Sequence, residues 1–189
     1  MDAGPRLASL PEIERAIWQQ LEAAPGERAH PWRTPVLATI DGDAADARTV
    51  ILREASAADR RLVVYTDHRA GKVAQIAAHP LGTLAMWSPA LGWQLRCRVR
   101  LSVEAEGLGV TSRWARLQHT PAAQDYLAPT PPGTALPTGS DADAAPRGAQ
   151  RAFFAVVTAE IESLDWLELH REGHRRARFD SAGARWLQP

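Results

Sequence analysis

The chain has 189 residues, 45% of them hydrophobic and 23% charged, the proportions of one ordinary globular domain with a buried core. Formal net charge is zero, so no global field draws nucleic acid or an anionic membrane, and any anion site must be local. The single cysteine, Cys97, excludes an intrachain disulfide and suits a reducing compartment. The opening residues carry Glu12, Glu14 and Arg15 and have no apolar h-region, so they do not read as a signal peptide. No later stretch approaches a membrane span, and a cytoplasmic protein of one domain, 1–189, is expected.

The first element is an amphipathic helix over 11–24, with Ile13, Ile17, Trp18 and Leu21 on one stripe and Pro25-Gly26 ending it. A strand over 35–40 closes on Asp41-Gly42, a hairpin signal, and 47–53 reads as the returning strand. A turn near Ala57-Ala58-Asp59 leads to a strand over 61–66, then a helix over 70–78 stopped by Pro80. Strand character resumes over 82–88 and 93–106. In the latter, Trp93, Leu95, Cys97, Val99, Leu101 and Val103 alternate with Gln94, Arg96, Arg98, Arg100 and Ser102, one core face and one polar face. A helix over 111–118 with Thr111 or Ser112 as N-cap is followed by a Pro/Ala/Gly-rich loop over 121–150. Strands over 151–161 and 164–169, the turn Glu172-Gly173 and a last strand over 174–179 complete the chain. Six or seven meandering strands with inserted helices predict an α+β, mainly β, barrel rather than a doubly wound parallel sheet.

Lys72 is the only lysine, among twenty-one arginines, and the chain has no asparagine. An ammonium is a compact charge suited to a phosphate oxygen, whereas guanidinium prefers a planar bidentate partner. Lys72 is therefore a candidate phosphate ligand, although a surface lysine retained by chance is the plainer reading. Nearby stand Arg48 and Arg53 at the ends of a strand, on opposite faces by the period-two rule, and Tyr65-Thr66 at the end of the next. Thr66, the amides at the start of the helix and Lys72 together compose a phosphate cradle. Gln94 offers an amide to a heterocycle edge. Cys97 reads as a buried hydrophobe, and most tryptophans as core. His170 and His174 are four apart, but Gly173 argues against the helix that would make them a metal pair, and no metal is expected. The run Arg96, Arg98, Arg100 lacks interleaved exposed aromatics, so no nucleic-acid partner is expected.

The ordered segments ARTVILR, LVVYTDHRAGKVAQIAAHP and LGWQLRCRVRL, with HPWRTPVLATIDGD before them and LDWLELHREGHRRARFD after, resemble the pyridoxamine 5'-phosphate oxidase-like family of FMN-binding split barrels. That resemblance implies an FMN cofactor held by Arg48, Thr49, Val50, Ile51 and Arg53 of the arginine-led strand, by Tyr65, Thr66, Lys72 and Gln94, and by Arg176 and Arg178 of the closing strand. Lys72 would meet the phosphate. It further implies a groove shared by two subunits of a homodimer and an FMN-dependent oxidoreductase of unassigned substrate; a flavin carrier or redox sensor is the alternative. The chain departs from the family where Ala70-Gly71-Lys72 replaces Ser-Arg-Lys and where His119-Thr120-Pro121 lacks the arginine that grips the substrate phosphate. Arg69 is a possible substitute at the first place, and Arg116 a poor positional match at the second. Weak oxidation of pyridoxamine 5'-phosphate is the expectation.

Overall fold

The computed structural model describes residues 6–135 and 153–189. Helix α1 (Leu10–Ala23) starts in a reciprocal cap, in which Ser9 Oγ accepts from the Glu12 amide and the Glu12 carboxylate accepts from the Ser9 amide. Its stripe of Ile13, Ile17, Trp18 and Leu21 is buried. Among the described residues nine strands follow in one antiparallel sheet: β1 (Val36–Asp41), β2 (Ala44–Thr49), β3 (Leu52–Ser56), β4 (Arg61–Asp67), β5 (Leu81–Ser88), β6 (Trp93–Glu104), β7 (Phe154–Glu168), β8 (Arg175–Asp180) and β9 (Gly183–Leu187). Helix α2 (Gly71–Ala78) joins β4 to β5, and α3 (Leu108–Leu117) follows β6.

The strand order is β2-β1-β5-β6-β7-β4-β3, with β8 on β7 and β9 on β8, so the sheet curls without closing: the split-barrel fold. Strand β7 makes this possible. It pairs along one edge with β4 over 154–160 and with β8 over 163–168, while β6 runs along its other edge. The register with β6 shifts at Glu162, a bulge that bends the strand between its two neighbours.

Two cores result. Leu62 and Val64 of β4 face the barrel interior with Leu37, Leu84, Leu95, Cys97 and Trp166. Val63 faces the other way, onto Val110, Trp114 and Leu117 of α3, Tyr126 and Phe154. Alternate residues of one strand thus serve two layers.

The structure corrects several sequence expectations. The run 47–53 is not one strand: β2 ends at Thr49, the Val50 amide donates to the Pro35 carbonyl at 2.9 Å, and β3 begins at Leu52 on the far edge of the sheet. Strands expected over 151–161 and 164–169 are one bent strand. A ninth strand follows the one expected to be last; Gly183, at φ +105°, turns the chain back. Helix α3 starts three residues early on Gly107, φ +96°, with neither Thr111 nor Ser112 as its cap. In the 121–150 loop, Pro121–Tyr126 is a 3-10 turn. The rest of that expected loop beyond 135, and the expected strand start at 151, lie outside the described residues.

Candidate functional site

Helix α2 begins beside the end of β4. Its N-cap, Ala70, offers no side-chain hydrogen bond, and the Val73 amide donates instead to the Ala70 carbonyl at 2.8 Å. Lys72 Nζ donates to Thr66 Oγ1 at 3.0 Å, which engages one ammonium proton. Burial lowers the Lys72 pKa, and the charge of Arg48 lowers it further, although Asp67 and Asp46 act the other way. Two cations therefore share a partly desolvated corner.

Arg48 is fixed from behind. Its Nη1 donates to the Leu37 carbonyl at 3.2 Å and to Thr39 Oγ1 at 2.5 Å, and its Nη2 donates to Gln75 Oε1 at 2.8 Å and to the Asp46 carboxylate. Thr39 donates to the same Gln75 oxygen at 2.6 Å, and Gln75 Nε2 donates to Asp46 at 2.9 Å. These bonds, from Gln75 first and then Arg48, hold the Asp46 carboxyl below its usual range. Gln75 and Thr39 thus orient Arg48, and sequence reasoning missed both. The signal was there in part: Gln75 stands three residues after Lys72, on the same side of α2.

Arg69 does not take the place of the arginine absent at Gly71. Its guanidinium pairs with Asp67 at 2.6 Å and donates to the carbonyls of Ala128 and Pro129.

Gln94, Arg176 and Arg178 lie elsewhere. Directly paired residues share a sheet face, and one row runs Arg48, Leu37, Leu84, Cys97, Leu164, Phe179, along the barrel interior. The adjacent row runs Thr49, Val36, Ala85, Arg96, Asp165, Arg178, along the outside. Gln94, two residues from Arg96, and Arg176, paired with Leu167 opposite Gln94, share that outer face. There Asp165 accepts from Arg176 Nε at 3.0 Å, Arg176 Nη2 at 2.8 Å and Arg96 Nη2 at 2.8 Å. Burial alone would raise the Asp165 carboxyl, but the Arg176 bond and the charges of Arg96 and Arg176 lower it overall. Arg178 is held by Asp180 at 2.9 Å. Val36, Leu81 and Trp87 add exposed apolar surface to this face.

Tyr65 and Arg53 belong to a third place. Tyr65 points opposite to Thr66, its hydroxyl donating to Glu54 at 3.2 Å, and burial with the Glu54 charge pushes its pKa up to about 12. Arg53 stacks toward the Tyr65 ring at 5.5 Å. Both line a cavity with Arg28, Arg33, Arg113, Arg116 and Thr120. An arginine is absent at Thr120, but five other guanidinium groups border the same cavity, so the shortfall read from the sequence is not a shortfall in space. Val50 packs partly against the core, while Thr49 and Ile51 are exposed at the break between β2 and β3. Cys97 is fully buried, and burial pushes its thiol pKa up to about 12. His170 and His174 meet in a turn, where the His170 amide donates to His174 Nδ1 at 3.2 Å.

The fold is that of the split barrels. Residues 14–104 match the family model described as pyridoxamine 5'-phosphate oxidase, FMN-binding domain, and over that segment the chain is similar to that family. Solved structures share its shape. A pyridoxamine 5'-phosphate oxidase-related, FMN-binding protein from Nostoc punctiforme is 19% identical, covers 98% of this chain and 100% of its own, and superposes with a TM-score of 0.70. PhzG from Burkholderia lata, solved with tetrahydrophenazine-1-carboxylic acid, is 17% identical over 96% of this chain and 94% of its own, TM-score 0.63. A FAD-binding protein from Mesorhizobium loti is 14% identical over 85% and 95%, TM-score 0.51. No curated protein matches the sequence. Among the described residues no helix is long and apolar enough to cross a membrane.

Proposed function

We propose that the protein binds FMN and works as an FMN-dependent oxidoreductase in a homodimer. The observation that carries this reading is the corner where Lys72, tied to Thr66, and Arg48, braced by Gln75, stand at the uncapped start of α2. A phosphate there would meet the Lys72 ammonium and the charge of Arg48, which Asp46 offsets in part, a fit that a neutral ligand end would not use. When bound, FMN supplies the hydride chemistry. The chain holds its phosphate through Lys72 and Thr66, and Arg48 contributes charge from a fixed position.

The second copy enters because Gln94, Arg176 and Arg178 face away from the interior row that contains Arg48. They reach a flavin ring anchored at Lys72 only from a neighbouring protomer whose outer face closes over it. The exposed Val36, Leu81 and Trp87 on that face suit such burial.

The test begins with the visible absorbance of the purified protein with added FMN, then anaerobic bleaching by pyridoxamine 5'-phosphate, NADH and NADPH separately. Bound FMN that bleaches only slowly with the pyridoxamine compound is the expected result. Absence of FMN binding at micromolar concentration would overturn the cofactor reading. Rapid bleaching by pyridoxamine 5'-phosphate would replace the open substrate with the one in the family name.

A further inference from the structure

Helix α2 separates the corner at Lys72 from a cleft of about 560 Å³ between the helix and the end of β6, a size inside the roughly 300–1,000 Å³ usual for small-molecule sites. Lys72 and Gln75 are engaged by Thr66, Thr39 and Arg48. Val73, Ile76 and Ala77, spaced i, i+3 and i+4 along a different stripe of the helix, line the cleft instead. Val103 adds apolar surface from β6, and three polar side chains interrupt the wall: His68, Ser102 and Glu106. The His68 amide donates to the Phe153 carbonyl at 2.8 Å, and the His68 and Phe153 rings stand 5.8 Å apart, which holds the imidazole in place. Its Nδ1 is buried and has no hydrogen-bond partner among the described residues. Among the described residues no lysine or arginine lines this cleft, and its charge comes from Glu106.

The chemistry of that wall selects its ligand. An imidazole protonated at Nε2 accepts at Nδ1, a serine hydroxyl accepts as well as donates, and a carboxylate only accepts. A buried ring nitrogen without a partner carries its desolvation cost, which a donating ligand removes. A fitting molecule therefore brings N–H donors on an apolar body, whereas an anion would face Glu106 with no cation to offset it. We propose that this cleft binds a small apolar amine, an aromatic or alkyl body carrying one ammonium group. The ammonium supplies the donors for His68 Nδ1, Ser102 and Glu106, and the body packs on Val73, Ile76 and Val103. Its charge preference is opposite to that of the corner at Lys72, so the two sides of α2 take different ligands, and this site does not depend on the flavin reading.

The experiment is calorimetric titration of the full chain at about pH 8, where an unperturbed histidine is neutral and an alkyl ammonium still charged. The probes are phenethylamine, phenethyl alcohol, phenylacetate and ethylamine. Phenethylamine is expected to bind at least about fivefold more tightly than phenethyl alcohol, and at least about tenfold more tightly than phenylacetate or ethylamine. Ala77→Trp, which fills the cleft from an exposed helix position, should weaken phenethylamine about tenfold or more. Glu106→Gln should weaken it about two- to fivefold, and His68→Phe about three- to tenfold. Ala77 and Glu106 are exposed, so their variants are expected to keep the fold even where His68→Phe does not. Equal affinity for phenethyl alcohol or phenylacetate, indifference to Ala77→Trp, or no binding of phenethylamine at millimolar concentration would overturn the proposal. The flavin reading fails separately: a protein that ignores FMN yet loses phenethylamine with Ala77→Trp keeps this site and loses that one.

Discussion

Lys72 Nζ and Thr66 Oγ1 are 3.0 Å apart, linking the first turn of α2 to the last residues of β4. Thr66 is buried and donates in turn to the Asp67 carbonyl at 3.2 Å, so the hydroxyl has one fixed direction and the ammonium is aimed by it. Replacing Lys72 by alanine should weaken FMN about ten- to hundredfold, the worth of one charged hydrogen bond of about 1.5 to 3 kcal/mol. Riboflavin, which has no phosphate, should lose almost nothing. Fluorescence titration with both flavins reads the difference, and equal losses would remove the phosphate from this corner.

Gln75→Leu should act on the same ligand without touching it. The change leaves Thr39, Arg48 and Asp46 short of a shared partner, so Arg48 loses its fixed direction. We expect FMN affinity to fall about three- to tenfold and thermal stability by about 1 to 3 kcal/mol, the cost of unsatisfied buried groups. A variant with unchanged stability and unchanged FMN affinity would show that Gln75 does not brace the site.

Light scattering at micromolar concentration should give about twice the 20.6 kDa chain mass. Ala85 lies in the outer row between Val36 and Arg96, so Ala85→Arg adds bulk and like charge to the face proposed to associate. That variant should be a folded monomer with weakened FMN. A wild-type monomer that still holds FMN tightly would dispose of the shared groove.

Asp165 contributes to the acid limb of stability. Its folded pKa lies below 3.8, so in the window between the two values the unfolded chain binds more protons than the folded one, and stability rises with pH. The contribution is complete above the ordinary carboxylate range and lost as pH falls through the folded value. Asp165→Asn should cost about 1 to 3 kcal/mol at neutral pH and flatten the loss of stability below about pH 4. Urea melts at pH 7, 4 and 3 measure both; parallel pH dependences for the two proteins would refute the assignment.

Cys97 should be silent toward thiol reagents in the folded protein, because its thiol is buried and its pKa is pushed up to about 12. Titration with an aromatic disulfide at pH 8 should report no thiol until denaturant is added. Immediate reaction of the native protein would mean that β6 opens readily.

The strand periods were legible in the sequence because each side chain's burial is set by its immediate neighbours. The alternation of β6 from Trp93 to Leu101, the stripe of α1 and the helix that Lys72 opens all follow from spacing and end signals alone. Lys72 stood out by rarity, and its juxtaposition with Thr66 needed only a strand followed by a short turn. What spacing could not give was the direction of each strand end and the pairing of distant edges. Local β propensity runs unbroken from Arg48 to Arg53, but Val50 bonds to Pro35 and the chain crosses to the opposite edge of the sheet, which sends Arg48 to the corner with Lys72 and Arg53 to the cavity beside Tyr65. Tyr65 and Thr66, adjacent in sequence, are divided between the same two places by the pleat. The cavity itself joins residues from Arg28 to Arg116, whose approach depends on α3 packing across β4 through Trp114 and Leu117, a long-range contact that only the assembled core decides.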